Sequence, residues 1–265
     1  MNRPIPFILA STDIGTMILN HLDQNNTQYG SYGVGYQFLH TSNFDKEEID
    51  FGIELFKLKK QYTNAPLIIL DCGANIGAHT IKWAKELTGW GEIIAFEAQE
   101  RIYYALAGNI AINNCFNAKA IHSAVGNPTP PHNFIQIPCI DYTKNASFGS
   151  LEIQKKASNE FIGQTIDYNK TQKISYISID SLKLEKIDFI KIDVEGMEIN
   201  VLNGAIKSIK KFHPILQIEF IKSDKAKLIN FLQNLSYVYF YHGINIIAIH
   251  NNDPILQHIA FKEQK

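Results

Sequence analysis

A glycine-containing loop, Asp71-Cys72-Gly73-Ala74-Asn75-Ile76-Gly77, is the part of the sequence best suited to binding a small molecule. Its two glycines permit a tight turn and let a ligand approach the backbone closely. A dinucleotide-binding loop of the form G-x-G-x-x-G would need glycine where this chain has Asn75 and Ala78. The Asp71 carboxylate would repel a pyrophosphate and attract an ammonium group. The loop therefore favours a cationic nucleoside over an anionic dinucleotide.

Glu97 is the natural partner of this loop, because it ends the next apolar run of the sequence. A carboxylate at the end of the second strand of such a unit can accept hydrogen bonds from both hydroxyls of a ribose. The alternative interpretation is an ordinary strand–turn–helix unit that binds nothing.

The elements that would position these residues follow from the periodicity. We predict strands at 67–71, 93–96, 118–125, 187–192 and 215–219, and helices at 45–62, 78–87, 101–113, 197–210 and 225–235. Continuous apolar runs are typical of parallel strands covered on both faces. The alternation predicts an α/β protein with a doubly wound, mostly parallel, Rossmann-like sheet. Runs at 237–241 and 244–249 predict an antiparallel hairpin at one edge of that sheet.

The chain divides into two parts in this interpretation. Residues 1–64 form an N-terminal extension or lid whose helix begins with a capping box made by Asp45 and Glu48. Residues 65–265 form the ligand-binding domain. An insertion at about 126–175, with turns at Pro128, Pro130, Pro131 and Pro138, is expected to lie over the sheet.

Composition limits the functional classes. The 265 residues have a net charge of -1 and a pI of about 6.8, so no overall positive field would attract nucleic acid. Three cysteines without CxxC spacing predict free thiols in a reducing compartment. The sequence has no apolar run of membrane-spanning length and no signal-peptide pattern at its start, so we expect a cytoplasmic protein. The oligomeric state is left open, and a homo-oligomer is compatible with the sequence.

Three strings together resemble the FkbM family of methyltransferases. They are Leu70-Asp71-Cys72-Gly73-Ala74-Asn75-Ile76-Gly77, Ala95-Phe96-Glu97-Ala98 and Ile190-Lys191-Ile192-Asp193-Val194-Glu195-Gly196-Met197-Glu198. The resemblance implies a class I methyltransferase fold and S-adenosylmethionine as the methyl donor. It also implies O-methylation, often of a sugar, glycan or small metabolite, and leaves the identity of the acceptor open. The family usually has proline after the acidic residue of the second strand, where this chain has Ala98.

Roles for individual residues follow from the same resemblance. It implies a methionine-binding loop made by Asp71, Gly73, Asn75 and Gly77, a ribose-binding Glu97, and an adenine site near Ser123, Ala124 and Val125. Independently of the resemblance, Phe148, Gly149 and Ser150 of the insertion and Tyr32 of the extension are candidates to close over the donor, because an aromatic face can stabilise a sulfonium. The alternative is an ordinary surface loop. The hydroxyls of Ser147 and Ser150 are candidates to orient the donor or the acceptor.

Three carboxylates are candidates for the chemistry, because an alcohol acceptor must lose its proton during methyl transfer. Asp193 and Glu195 follow the strand at 187–192, and Glu219 ends the strand at 215–219. The alternatives are helix capping for Asp193 and Glu195 and a plain surface role for Glu219. Lys191 lies within its strand and is either an ion-pair partner or a lysine that reaches a site carboxylate.

The histidines are assigned structural roles: packing or capping for His79, a strand position for His122 and a turn position for His242. No histidine–carboxylate cluster predicts a resident metal, although Asp193 and Glu219 could hold a transient magnesium ion.

Two further functions compete with methyl transfer. A nicotinamide-dependent oxidoreductase is disfavoured by Asp71 and Asn75, and a non-catalytic binding or interaction module is disfavoured by the intact set of loop and carboxylate residues. A nucleic-acid methyltransferase is disfavoured because His132, and not an aromatic residue, follows the Pro130-Pro131 pair.

Overall fold

The computed structural model describes residues 3–129 and 132–259. In chain order its strands are β1 (Phe7–Thr12), β2 (Gly15–Asn20), β3 (Asn25–Thr27), β4 (Gly30–Tyr32), β5 (Leu67–Cys72), β6 (Gly91–Glu97), β7 (Ala118–His122), β8 (Ala124–Val125), β9 (Phe134–Pro138), β10 (Thr171–Ile177), β11 (Phe189–Ile192), β12 (Ile215–Glu219), β13 (Tyr237–His242) and β14 (Asn245–His250). Its helices are α1 (Val34–Thr41), α2 (Lys46–Lys60), α3 (Ala78–Glu86), α4 (Glu100–Ile112), α5 (Glu198–Gly204), α6 (Ile206–Phe212) and α7 (Lys225–Asn234). The turns predicted at Pro130 and Pro131 lie outside the described residues.

A seven-stranded sheet of order β13-β14-β12-β11-β5-β6-β7 forms the centre of the protein. The five strands from β12 to β7 are parallel, and β14 and β13 complete one edge as an antiparallel hairpin. This arrangement confirms the predicted doubly wound sheet and its edge hairpin. The chain order reverses between β5 and β11, so the carboxyl ends of these two strands define the switch point, where ligands bind in such sheets.

Both faces of this sheet are buried. Ile69 of β5 belongs to a core cluster shared with α2 and α3, whereas the next residue, Leu70, belongs to a second cluster shared with α5, α6 and α7. Successive side chains of a strand point to opposite faces. Helices on both faces therefore explain why the strands are continuous apolar runs and not alternating ones.

Two predicted elements are interrupted. The strand predicted at 118–125 divides into β7, which stays in the central sheet, and β8, which pairs with β10 instead. The helix predicted at 197–210 divides into α5 and α6 at Ala205. A Cβ at Gly204 would lie 1.8 Å from the carbonyl oxygen of Gly126, so the chain that follows β8 packs directly against this break.

The predicted capping box at the start of α2 is wrong. Asp45 has a positive φ of 35° and its side chain makes no capping hydrogen bond, accepting one from the Gln37 side chain instead. Glu48 turns inward and accepts hydrogen bonds from Gln217 and Asn245. The side-chain amides of Gln217 and Asn245 are buried and donate to the Glu48 carboxylate. Glu48 therefore points into the protein, whereas a capping box would keep its carboxylate at the helix end.

Residues before β5 pack against the central unit. The β1–β2 hairpin is fixed on α4 by Asn109, whose side chain accepts a hydrogen bond from the Ile18 amide and donates one to the Ile18 carbonyl. The insertion contains β9 and β10, which form a small sheet with β8. Within residues 3–129 and 132–259, no helix has the length and apolar character to cross a membrane.

Candidate functional site

A cavity of about 390 Å³ lies at the carboxyl ends of the parallel strands. Its walls come from the loops after β5, β6, β7, β11 and β12, from the Ser147–Leu151 part of the insertion, and from residues before α2. The lining includes ten of the predicted site residues: Gly73, Asn75, Glu97, Ser123, Ala124, Val125, Ser150, Asp193, Glu195 and Glu219. The volume lies within the usual range for small-molecule and cofactor sites.

The glycine loop is pressed against the loop that follows β11. Gly73 has a φ of 83°, and a Cβ there would lie 1.7 Å from the carbonyl oxygen of Asp193. Any larger residue would therefore separate the two strands at the switch point. Asn75 also has a positive φ, of 50°, and its side chain accepts a hydrogen bond from the Ile76 amide. The loop thus presents its backbone to the cavity.

Glu97 is buried at the end of β6, and its carboxylate faces the same cavity. It accepts hydrogen bonds from the Asn75 amide (3.0 Å) and the Gln99 amide (2.7 Å). Burial raises the pKa of Glu97 to about 7, against the lowering effect of these amides. Each carboxylate oxygen can accept more than one hydrogen bond, so the group still has capacity for ligand hydroxyls.

The wall beyond Glu97 is largely apolar. Phe96, Ala124, Val125 and Met197 line it and are buried. The Ser123 hydroxyl lies 2.9 Å from the Ala124 carbonyl and 3.0 Å from the Ser175 carbonyl, so it holds the junction between β7 and β8.

Asp71 and Gly77 are not part of the cavity wall. Asp71 is fully buried and accepts a hydrogen bond from the Thr80 hydroxyl at 2.6 Å. Its other oxygen, Oδ1, has no hydrogen-bond partner among the residues described. Asp71 pairs in register with Lys191 of β11, so its charge acts on that lysine from beneath the site.

The sequence left two roles open for Lys191, an ion-pair partner or a lysine that reaches a site carboxylate, and the structure shows both. It is buried in β11, between Asp71 of β5 and Gln217 of β12, and its ammonium donates a hydrogen bond to Asp193 at 2.9 Å. Burial alone would lower the pKa of Lys191, but the negative charges of Asp193, Asp71 and Glu48 raise it above its ordinary value. The lysine is therefore a fixed positive charge at the floor of the cavity.

Asp193, Glu195 and Glu219 meet at the carboxyl ends of β11 and β12. Each offers an oxygen within 4.8 Å of the others, a set that could hold a divalent cation. Lys222 forms an ion pair with Glu195 at 2.6 Å.

The three carboxyl groups differ in protonation. Burial would raise the pKa of Asp193, but the Lys191 charge and a hydrogen bond from Glu219 lower it. Burial and the Asp193 charge raise the pKa of Glu219 well above its usual range. Burial and Asp193 also raise the pKa of Glu195, against the Lys222 charge. At neutral pH Asp193 is thus ionised, and Glu219 holds a proton.

Glu198, which sequence reasoning left without a role, fixes the loop that carries these carboxylates. It accepts hydrogen bonds from the amides of Val194 (3.2 Å) and Gly196 (3.0 Å). The N-cap residue of α5 is Met197, and not Asp193 or Glu195. The available signal was the position of Glu198 at the start of a helix and at the end of the string Ile190–Glu198.

The roof is formed by the insertion and the N-terminal residues together. Ser150 and Gly149 line the cavity, but Phe148 is buried in the core. Asp23, which no sequence pattern indicated, accepts hydrogen bonds from the amides of Phe148 and Gly35, both at 3.0 Å. Burial raises the pKa of Asp23 to about 6, against the lowering effect of those amides.

A second link joins the roof to the carboxylate loop. Tyr32 lines the cavity and its hydroxyl donates a hydrogen bond to Glu160. Glu160 in turn pairs with Lys222 at 2.7 Å, and Lys222 also donates a hydrogen bond to the Ser150 carbonyl.

The histidines occupy different places. His79 packs against Trp83 and Phe44, as expected, but it also lines the cavity, with Nε2 3.0 Å from Glu48. His122 stacks on Tyr103, and His242 stacks on Phe51. Neither of these two is among the cavity-lining residues.

Comparison with known proteins identifies a family for this chain. A family model described as the methyltransferase FkbM domain matches residues 71–239. No curated protein resembles the chain closely enough to count as a match.

The fold is similar to that of a solved methyltransferase. The crystal structure of an FkbM methyltransferase from Methylobacillus flagellatus KT is 18% identical, with a TM-score of 0.50, over 70% of this chain and 44% of that one. The present chain therefore spans less than half the length of that protein. Precorrin-6y C5,15-methyltransferase from Geobacter metallireducens GS-15 is 14% identical, with a TM-score of 0.38, over 72% of this chain and 83% of that one. The likeness to the Methylobacillus flagellatus protein concerns the fold alone.

The matched residues run from the glycine loop into β13 and include Glu97 and the three clustered carboxylates. Because this match covers more than half of the chain, the protein belongs to the FkbM family of methyltransferases.

Proposed function

We propose that the protein binds S-adenosylmethionine in the central cavity and methylates a hydroxyl group of a sugar, a glycan or a small metabolite. The observation that supports this proposal is the position of two groups on one cavity. A buried carboxylate suited to a ribose, Glu97, lies over β6, and a cluster of carboxylates suited to an alcohol lies over β11 and β12. We expect no nucleic-acid acceptor, because the net charge of the chain is -1. We also place the protein in the cytoplasm.

The donor fits the half of the cavity over β5, β6 and β7. The backbone of the loop at Gly73 and Asn75 would hold the methionine part, and Glu97 would accept hydrogen bonds from the ribose hydroxyls. The apolar wall near Ala124 and Val125 would cover the adenine. When bound, S-adenosylmethionine supplies an electrophilic methyl group on a sulfonium.

The acceptor hydroxyl would lie at the carboxylate cluster. Asp193 is the ionised carboxylate there, so it is the group that can accept the proton of the hydroxyl. Glu219 carries a proton and hydrogen-bonds to Asp193, so its role is to orient that carboxylate. Lys191 keeps Asp193 ionised from below.

Calorimetric titration with S-adenosylhomocysteine, and with NAD in a parallel experiment, tests the proposal. We expect S-adenosylhomocysteine to bind and NAD not to bind, because Asn75 stands where a dinucleotide loop requires glycine. Binding of NAD alone would refute the proposed donor. Binding of neither ligand would contradict the assignment of the cavity as a donor site.

A further inference from the structure

The end of the cavity over β11 and β12 is lined by side chains that the proposed donor site does not use. They are Gln37, Phe44, Asp45, His79, Glu219 and Ile244, and we call this set the acceptor end. Neighbouring strands are about 4.8 Å apart, so β12 lies three strand spacings from β6 and its Glu97. The acceptor end is therefore separated from the ribose-binding position by the width of the carboxylate cluster.

The positive charges at this end already have partners. Among the described residues that line the cavity, Lys191 and His79 are the ones that can carry a positive charge. Lys191 donates a hydrogen bond to Asp193 at 2.9 Å, and His79 lies 3.0 Å from Glu48. Both side chains are thus directed towards the protein's own carboxylates.

The negative charges are not fully matched. Asp193 pairs with Lys191, and Glu195 pairs with Lys222. Asp45 differs from them, because within the described part of the chain it forms no ion pair. Its carboxylate accepts one hydrogen bond, from the Gln37 side chain at 3.1 Å.

From this arrangement we propose that the acceptor end selects acceptors by charge and that Asp45 is the residue that determines this selectivity. An acceptor that carries an amino group binds best, an uncharged polyol binds less tightly, and an acceptor that carries a carboxylate or phosphate beside its reacting hydroxyl is rejected. The inference rests on the proposed function and adds the charge class of the acceptor to it.

The physical reason is that, among the described residues, the negative charge of Asp45 has no cation paired with it. An ammonium would gain an ion pair with Asp45 in a partly buried place and could lie against the face of Phe44. An anion would be desolvated beside Asp45 and Asp193 without a free cation to receive it. A neutral hydroxyl group avoids both effects.

The experiment measures binding of three matched probes to the protein saturated with S-adenosylhomocysteine. Glucosamine, methyl glucoside and glucuronate share a sugar ring and differ in charge. We expect glucosamine to bind roughly five- to tenfold more tightly than methyl glucoside, the effect of one partly screened charge pair. Glucuronate is expected to bind more weakly than methyl glucoside, and NMR titration can follow all three.

A matched pair of variants isolates the determinant. Asp45→Asn keeps the side-chain shape, and asparagine tolerates the positive φ of this position. It should remove the preference for glucosamine and leave methyl glucoside binding nearly unchanged. Glu47→Gln removes an equal charge from an exposed position in the first turn of the same helix and should keep the full order.

Three outcomes would overturn the inference: glucuronate binding as tightly as glucosamine, an unchanged order in Asp45→Asn, or no binding of any probe. The titration with S-adenosylhomocysteine on the same samples separates these outcomes from a failure of the proposed function. If the donor analogue binds and the probe order fails, only the charge selectivity is lost.

Discussion

At the scale of single residues, the site depends on carboxyl groups whose protonation the fold sets individually. Glu97 and Glu219 have raised pKa values because they are buried, whereas Asp193 stays ionised because a buried lysine contacts it. The residue type alone would give all three nearly the same pKa. Their surroundings therefore decide their different roles: Glu97 binds a ligand, Glu219 holds a proton and Asp193 accepts one.

Glu97→Gln should weaken binding of S-adenosylhomocysteine about tenfold or more, since a hydrogen bond to a charged group contributes roughly 1.5–3 kcal/mol. An amide has one acceptor oxygen and cannot serve both ribose hydroxyls while accepting from the Asn75 and Gln99 amides. Calorimetry measures the change, and Glu92→Gln, at an exposed position of the same strand, is the control. Equal affinity in wild type and Glu97→Gln would remove Glu97 from the ribose site.

The pH dependence of that binding follows from the same group. Because the pKa of Glu97 is raised to about 7, the ionised acceptor form is lost as the pH falls through 7. The affinity for S-adenosylhomocysteine should therefore decrease below neutrality in the wild type. The decrease should be smaller in Glu97→Gln, and identical pH profiles for the two proteins would contradict the assignment.

Asp193→Asn should lower the turnover number by about 10²–10⁴, the usual contribution of a general base. Binding of S-adenosylhomocysteine should change little, because Asp193 lies at the carboxylate cluster and away from Glu97. Turnover with any acceptor that the protein methylates, together with calorimetry, gives both numbers. Full activity of the variant would exclude Asp193 as the base.

At the scale of elements, the switch point between β5 and β11 combines close backbone contact with buried charge. Gly73 lets the two loops touch, and Lys191 crosses from Asp71 beneath the site to Asp193 within it. Buried charges are stable only when they are paired. The pairing of these two strands is therefore coupled to the electrostatics of the cavity.

Lys191→Met should destabilise the protein by about 3–5 kcal/mol, because it leaves Asp71 and Asp193 without their shared cation. Thermal unfolding measures the loss. The double variant Asp71→Asn/Lys191→Met should recover part of it, since one of the buried negative charges is removed as well. If the loss in the double variant equalled the sum of the losses in Asp71→Asn and Lys191→Met, the coupling between these residues would be absent.

At the scale of the whole molecule, three distant parts of the chain meet over the cavity. Asp23 binds the amides of Gly35, in α1, and Phe148, in the insertion, and so joins the N-terminal residues to the roof. Glu48 of α2 reaches Gln217 and Asn245 at the other end of the sheet. Residues before β5 therefore form part of the cavity wall.

Asp23→Asn should lower stability by about 1–3 kcal/mol, because an amide can accept from only one of the two backbone N–H groups and leaves the other unpaired. The roof should loosen, so affinity for S-adenosylhomocysteine should fall as well. Thermal unfolding and calorimetry measure the two effects, with exposed Asp13→Asn as the control. Unchanged values for both would show that Asp23 does not hold the roof.

The sequence by itself determined the central architecture, because apolar periodicity depends only on which faces of an element are buried. The strands β5, β6, β11 and β12, the edge hairpin and the long helices lie within a few residues of their predicted positions. The glycine loop, Glu97 and the carboxylates after β11 and β12 were identified for the same reason, since parallel strands bring their carboxyl ends to one edge.

Only the tertiary structure decided which of these groups face the cavity and in which protonation state. Asp71 lies in the loop motif yet is buried beneath it, and Glu48 reaches into the core where a capping role was predicted. Asp23 and Lys222 gain their importance from residues far away in the chain. Periodicity reports burial one element at a time, whereas ion pairs and pKa values depend on distances between elements, which exist only in the folded protein.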